Sequence, residues 1–91
     1  MTFQFAPSFD RSFTRLPPDR RRRVRQGVDR LIDLFDQGQL PSGFGFKRLR
    51  GNMWEFRVGL SDRVIFILEG SVVTFVMVGD HEDVRRYLKH R

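Results

Sequence analysis

Trp54-Glu55-Phe56-Arg57-Val58-Gly59-Leu60-Ser61-Asp62-Arg63-Val64-Ile65-Phe66 is the stretch that decides the fold. Two β-rich runs, Met53 to Val58 and Arg63 to Leu68, flank a Gly-containing turn and read as a hairpin. A third run, Val72 to Val78, follows after another Gly-containing turn, and together they form an antiparallel meander. Upstream, Phe46-Lys47-Arg48-Leu49 is a short strand that Arg50-Gly51-Asn52 turns back.

Period-two alternation sorts the hairpin's side chains into two faces. Trp54, Phe56 and Val58 point one way, and Met53, Glu55 and Arg57 the other. The first set is predicted to meet helices, which leaves Glu55 and Arg57 facing solvent. Arg63 shares a face with Ile65 and Ile67, and a loop of this length brings it alongside Arg57. Adjacent guanidiniums repel unless an anion or a carboxylate lies between them. Two readings follow: a surface salt-bridge cluster closed by Glu55, or a phosphate site.

Further out, Met1 to Phe5 alternates and reads as a strand rather than a signal peptide. Phe9, Phe13 and Leu16 fall at helical spacing behind Pro7, and Pro17-Pro18 ends that helix. From Asp19 to about Asp36 the residues Val24, Val28, Leu31, Ile32 and Phe35 trace one face of a longer helix, which Gly38 stops. Its first turns hold Arg20 to Arg23 and Arg25, an unfavourable sign near a positive dipole end that Asp19 offsets only in part. Such a run is either a solvated face or a phosphate-backbone patch. Leu40 to Gly45 is a loop by composition. At the other end Asp80 caps a helix from His81 to Leu88, with Asp83 completing a capping box and Val84, Tyr87 and Leu88 on one face.

The expected architecture is α+β, a single domain over residues 1–91. An antiparallel sheet of about four strands carries two N-terminal helices on one face, and a short C-terminal helix follows. With 91 residues the chain is too small for a deep cofactor cleft, so any chemistry sits on an open face. Ten Phe supply the core, and the absence of Cys excludes disulfides, thiolate zinc sites and cysteine nucleophiles. The composition is compatible with the cytosol, and no run reaches membrane-spanning length. The net charge of +6 favours a polyanionic partner, which RNA, DNA, acidic protein and anionic lipid all satisfy.

His81 opens the last helix, where free N–H groups and the dipole attract phosphate. An imidazole there is a competent general acid or base, or else a surface residue in a helix cap. Metal binding is not expected, because His81, Glu82 and Asp83 are adjacent and do not face one another as ligands must. His90 receives no role.

The order of these pieces resembles the RelE/ParE superfamily of bacterial toxins from toxin–antitoxin systems. The matching features are the Phe-rich first helix ending at Leu16-Pro17, Lys47-Arg48-Leu49-Arg50-Gly51, Glu55-Phe56-Arg57-Val58, Arg63-Val64-Ile65-Phe66, and Val78-Gly79-Asp80-His81-Glu82-Asp83-Val84. The last of these is similar to the C-terminal segment of the YafQ-like ribonuclease branch. The resemblance implies a cytoplasmic toxin that cleaves mRNA, commonly on the ribosome, without metal or cofactor, by attack of the ribose 2′-OH on the adjacent phosphate. It makes His81 the acid or base, Arg63 the clamp on the transition state, Arg57 and Lys47 supporting cations, and Glu55 the base. Lys47, Arg48 and Arg50 would bind RNA, with Tyr87 near a tyrosine of some RelE-like toxins.

The implied partners are a cognate antitoxin, joined with the toxin in a hetero-oligomer, together with mRNA and the ribosome, and no membrane. Histidine-rich members carry further histidines on the central strands, where this chain has Glu55 and Arg57. ParE-like members share the fold, target DNA gyrase and lack a nuclease constellation, which is one alternative. A non-catalytic RNA-binding module is another, although Trp54 and Phe56 fall on the core face rather than on a stacking surface.

Overall fold

A computed structural model of the chain describes residues 1–39 and 45–90. Apart from Gly45, the Leu40–Gly45 loop lies outside the described residues. The elements run β1 (Thr2–Phe5), α1 (Pro7–Thr14), α2 (Pro18–Asp36), β2 (Phe46–Arg50), β3 (Met53–Val58), β4 (Asp62–Glu69), β5 (Val72–Gly79) and α3 (His81–Lys89).

Proline punctuates both early helices. Pro7 opens α1 and Pro18 opens α2, each in the first turn, where the missing N–H has no intrahelical partner to lose. Along α2, Val24, Val28, Leu31 and Phe35 are buried, as their spacing predicts. Gly27 lies on the same inward side, and a Cβ there would stand 2.8 Å from Val58 Cγ2. A side chain would hold α2 off the end of β3, so glycine sets the close approach.

The meander forms as read, with β3 antiparallel to both β2 and β4, and β4 to β5. The expectation of about four antiparallel strands is corrected to a mixed sheet of five, in the order β1-β5-β4-β3-β2. β1 lies parallel to β5, with Thr2 opposite Val72 and Phe5 opposite Phe75. Alternation identifies a strand but carries no information about a neighbour some seventy residues away.

β5 contains an irregularity that side-chain alternation does not reveal. Ile65 faces Met77 while Phe66 faces Phe75, leaving Val76 as an extra residue. Val76 and Met77 consequently both join the cluster beneath α3. α1 is pinned to this bulge: Ser8 Oγ donates to the Val76 carbonyl at 2.5 Å, and the Val78 N–H donates to Ser12 Oγ at 3.0 Å.

Two hydrophobic clusters result. The larger lies between α1, α2 and the sheet and includes Phe9, Val24, Leu31, Phe35, Phe66 and Phe75. Phe35 meets Phe66 edge-on at 5.9 Å. The smaller lies on the opposite face and contains Met53, Ile65, Val76, Met77 and Val84, flanked by Leu49, Ile67, Tyr87 and Leu88. That face was expected to meet solvent. It is instead partly roofed by α3, because Met53, Ile65, Ile67 and Met77 give it apolar surface to bury.

A candidate phosphodiester site at the end of the sheet

The strand register sets the site. Arg57 on β3 stands opposite Arg63 on β4, and Arg63 opposite Gly79 on β5. The neighbouring row runs Lys47, Glu55, Ile65 and Met77. Lys47, Glu55, Arg57 and Arg63 therefore share one face, and the chain leaves Gly79 through Asp80 directly into His81.

Glu55 departs from its expected exposure: only 7% of its side chain is accessible, against 19% for Arg63. Arg63 Nη1 donates to Glu55 Oε2 at 3.1 Å. The apolar cluster beneath α3 adjoins Glu55, since Ile65 opposite it and Met53 two residues before it belong to that cluster, and the Arg63 guanidinium gives the carboxylate a partner there. The two arginines are thus unequal. Arg63 is held by a carboxylate, whereas Arg57 is exposed and has no ion pair among the described residues. Lys47 is exposed as well.

His81 is exposed at the first position of α3. Its backbone is fixed by the capping box: the Asp83 N–H donates to Asp80 Oδ1 at 2.9 Å, and the Asp80 N–H donates to Asp83 Oδ2 at 3.0 Å. The hydrogen bond from the Asp83 backbone holds the Asp80 carboxyl below the ordinary aspartate range, and Arg20 acts in the same direction. Glu82 and Asp83 are each engaged by an arginine one turn on, Arg85 at 3.1 Å and Arg86 at 3.2 Å. A Cβ at Gly79 would lie 2.5 Å from Asp83 Cβ, so glycine lets the cap close against the strand end.

The basic segment on β2 divides. Arg48 stands opposite Trp54, on the α1/α2 side, and its Nε donates to the Gly51 carbonyl at 2.6 Å. Arg50 Nη2 donates to the Leu88 carbonyl at 2.9 Å and ties down the end of α3. Of the three cations only Lys47 shares the row of Glu55. Tyr87 is half-buried against the smaller cluster.

One ion pair was not anticipated. Asp62, buried at the start of β4, accepts from Arg20 Nε at 3.1 and 3.3 Å through its two oxygens, and from Nη2 as well. The bond raises the affinity of Arg20 for its proton. Alternation held the signal: Asp62 pairs with Val58, which faces the helices, and Arg20 lies in the first turn of the helix packed there. Most of the arginine run is accounted for locally. Arg21 donates to the Leu16 carbonyl at 3.1 Å, Arg22 pairs with Asp19 at 3.3 Å, and Arg25 lies over the Phe13 ring at 5.6 Å.

The mixed five-stranded sheet, with two helices on one face and a third closing the other, matches the fold of RelE-like toxins. The chain is similar to the RelB–RelE antitoxin–toxin complex from Methanococcus jannaschii, with a TM-score of 0.70 and 20% identity over 92% of this chain and 96% of that one. It is also similar to the toxin–antitoxin complex RelBE2 from Mycobacterium tuberculosis (TM-score 0.65, 20% identity, 88% and 96% covered) and to the DinJ–YafQ complex from E. coli (TM-score 0.69, 15% identity, 90% and 94% covered). No family model matches the sequence, and no curated protein matches it. At these identities the likeness is one of fold. No described helix is long and apolar enough to cross a membrane.

Proposed function

We propose that the protein is the toxin of a toxin–antitoxin pair and a metal-independent endoribonuclease that cuts mRNA presented by the ribosome. The observation that carries this reading is the row Arg57, Arg63, Gly79, with Arg63 held by a buried carboxylate and His81 two residues past the row's end. Cleavage by an internal 2′-OH needs a proton acceptor, a proton donor and cationic stabilisation of the phosphorane. His81 gives its proton to the departing 5′ oxygen. Arg63, oriented by Glu55, binds the non-bridging oxygens as charge builds on them, and Arg57 and Lys47 hold the phosphate. The 2′ proton passes to the Glu55 carboxylate, whose Oε1 lies outside the bond to Arg63.

An open face positions a flexible strand poorly, and presentation of the RNA by the ribosome supplies the missing order. The structural relatives that are antitoxin complexes support a cognate antitoxin as partner, joined with the toxin in a hetero-oligomer. Its acidic residues would meet Arg57, Arg63 and Lys47. The test is an mRNA carrying 2′-deoxyribose at the cleaved position, offered on programmed ribosomes with a chelator present. The deoxy substitution should stop cleavage, the chelator should not, and products of the ribose substrate should end in a 2′,3′-cyclic phosphate. Cleavage of the deoxy substrate, or loss on chelation, rules the mechanism out. Inhibition of gyrase supercoiling with no RNA cut would move the assignment to a ParE-like toxin.

A further inference from the structure

Among the described residues Arg23 is the member of the arginine run with no ion pair, carbonyl acceptor or aromatic partner. Arg23, Gln26, Gly27 and Arg30 form a single stripe of α2, at spacings of three, four and seven residues. The close approach of Gly27 to Val58 lays this stripe beside β3, and a cleft of about 230 Å³ opens there, lined by Arg23, Gln26 and Arg30 from α2 and by Arg57 from β3. Its lining residues include three arginines and one glutamine and no acidic residue, the two α2 arginines from the helix side and Arg57 at the strand edge between the two faces. All three arginines are exposed, and none has an ion pair among the described residues. The neighbouring cleft differs: it also includes Arg23, but Asp62 and Asp80 line it too, and Arg20 is already engaged there.

Three exposed cations around one small cleft repel one another only weakly through water, but together they attract an anion seated among them. Guanidinium forks and an amide donor suit a phosphate group, which accepts several hydrogen bonds at once. Arg57 stands at the junction, since it lines this cleft and is also the register partner of Arg63. We infer that the Arg23–Arg30–Arg57 cleft is a second phosphate subsite, which holds a backbone phosphate of the RNA flanking the one attacked. The inference rests on the ribonuclease reading above and extends it: the strand crosses the end of the hairpin from the Arg63 row to α2. The arginines of α2 then set how many nucleotides of RNA the protein grips, and they take no part in the bond-breaking step.

The test uses the full chain and two probes that cannot be cleaved, a 2′-O-methyl nonauridylate and the corresponding dinucleotide, with binding measured over a salt series. Arg23→Gln and Arg30→Gln should each weaken the nonamer about tenfold at low salt and flatten its salt dependence by about 0.7 per lost phosphate contact. Dinucleotide binding should be unchanged, as should the site and end chemistry of cleavage on programmed ribosomes. Unaltered salt slopes in both variants overturn the subsite. A loss that appears only with vacant ribosomes, and not with the nonamer, means that the phosphates belong to ribosomal RNA, and this overturns the assignment to substrate. A wild-type protein that binds the nonamer with the expected slope yet cuts nothing supports the cleft and overturns the nuclease.

Discussion

Glu55 and Arg63 form an ion pair across β3 and β4, Oε2 to Nη1 at 3.1 Å, in which the carboxylate is buried and the guanidinium half-buried. Its partners are not directly opposite: Glu55 faces Ile65, and Arg63 faces Arg57. The pair runs diagonally across the hairpin and pulls Arg63 away from the cation it would otherwise repel. A buried pair contributes little over an apolar replacement, but loss of one partner strands the other charge.

Glu55→Ala should therefore lower stability by about 3 kcal/mol in urea unfolding, Glu55→Gln by less, and the double change Glu55→Met with Arg63→Met should recover most of the loss. A neutral Glu55→Ala would show that solvent reaches the pair and screens it. The singly changed proteins should also lose RNA cleavage, whereas the double variant should regain stability and stay inactive.

Gly79→Ala tests whether the cap sets the position of His81. The added Cβ would meet the Asp83 side chain at 2.5 Å, so the capping box must open or α3 must shift. The loss of one N-cap bond costs about 1 kcal/mol. Cleavage should fall by much more than that loss of stability explains, because His81 moves with the helix. The His81 ring resonances in an NMR spectrum should shift in the variant while those of the Phe35 and Phe66 rings stay in place. Unchanged His81 signals with full activity would dismiss the idea.

Elements whose meaning is local could be read from the sequence. The hairpin, the capping box, both proline-led helices and the adjacency of Arg57 and Arg63 all follow from spacing over a few residues. What escaped depends on partners far away in the chain. β1 took a parallel neighbour, and the bulge at Val76 altered which residues face α3. Glu55 is buried beside the apolar cluster beneath α3, on a face whose alternation alone suggested water, although Met53, Ile65 and Met77 carried the hint. The arginine segment from 47 to 50 looked like one patch because sequence proximity hides a bulge between Arg48 and Arg50, which sends neighbouring cations to different tasks.

The cap should also give α3 a dependence on acid. The carboxyl of Asp80 lies below its ordinary value in the folded chain, so its ionised form is favoured by folding. That contribution is fully present above the unfolded value, about pH 4, and is lost as pH falls through the lower folded value. Unfolding midpoints of the wild type should decline on acidification below about pH 4, and Asp80→Asn, which keeps an N-cap acceptor without a titrating group, should reduce that decline. Identical acid profiles for the two proteins would remove Asp80 from the account.

The roles in cleavage should separate by magnitude. His81 is exposed on a helix start and packs against little, so His81→Ala should leave the fold intact while lowering the single-turnover rate on programmed ribosomes by about 10²- to 10⁴-fold. Under the proposed mechanism Arg63→Ala should cost about 10²- to 10³-fold, as the loss of a clamp on developing charge would, with an added loss of stability from the stranded Glu55. Arg57→Lys keeps a cation at an exposed position and should cost least, with its effect falling on binding more than on rate. Equal effects of the two arginine changes would undo this ranking, which rests on the carboxylate that holds Arg63 and leaves Arg57 in solvent.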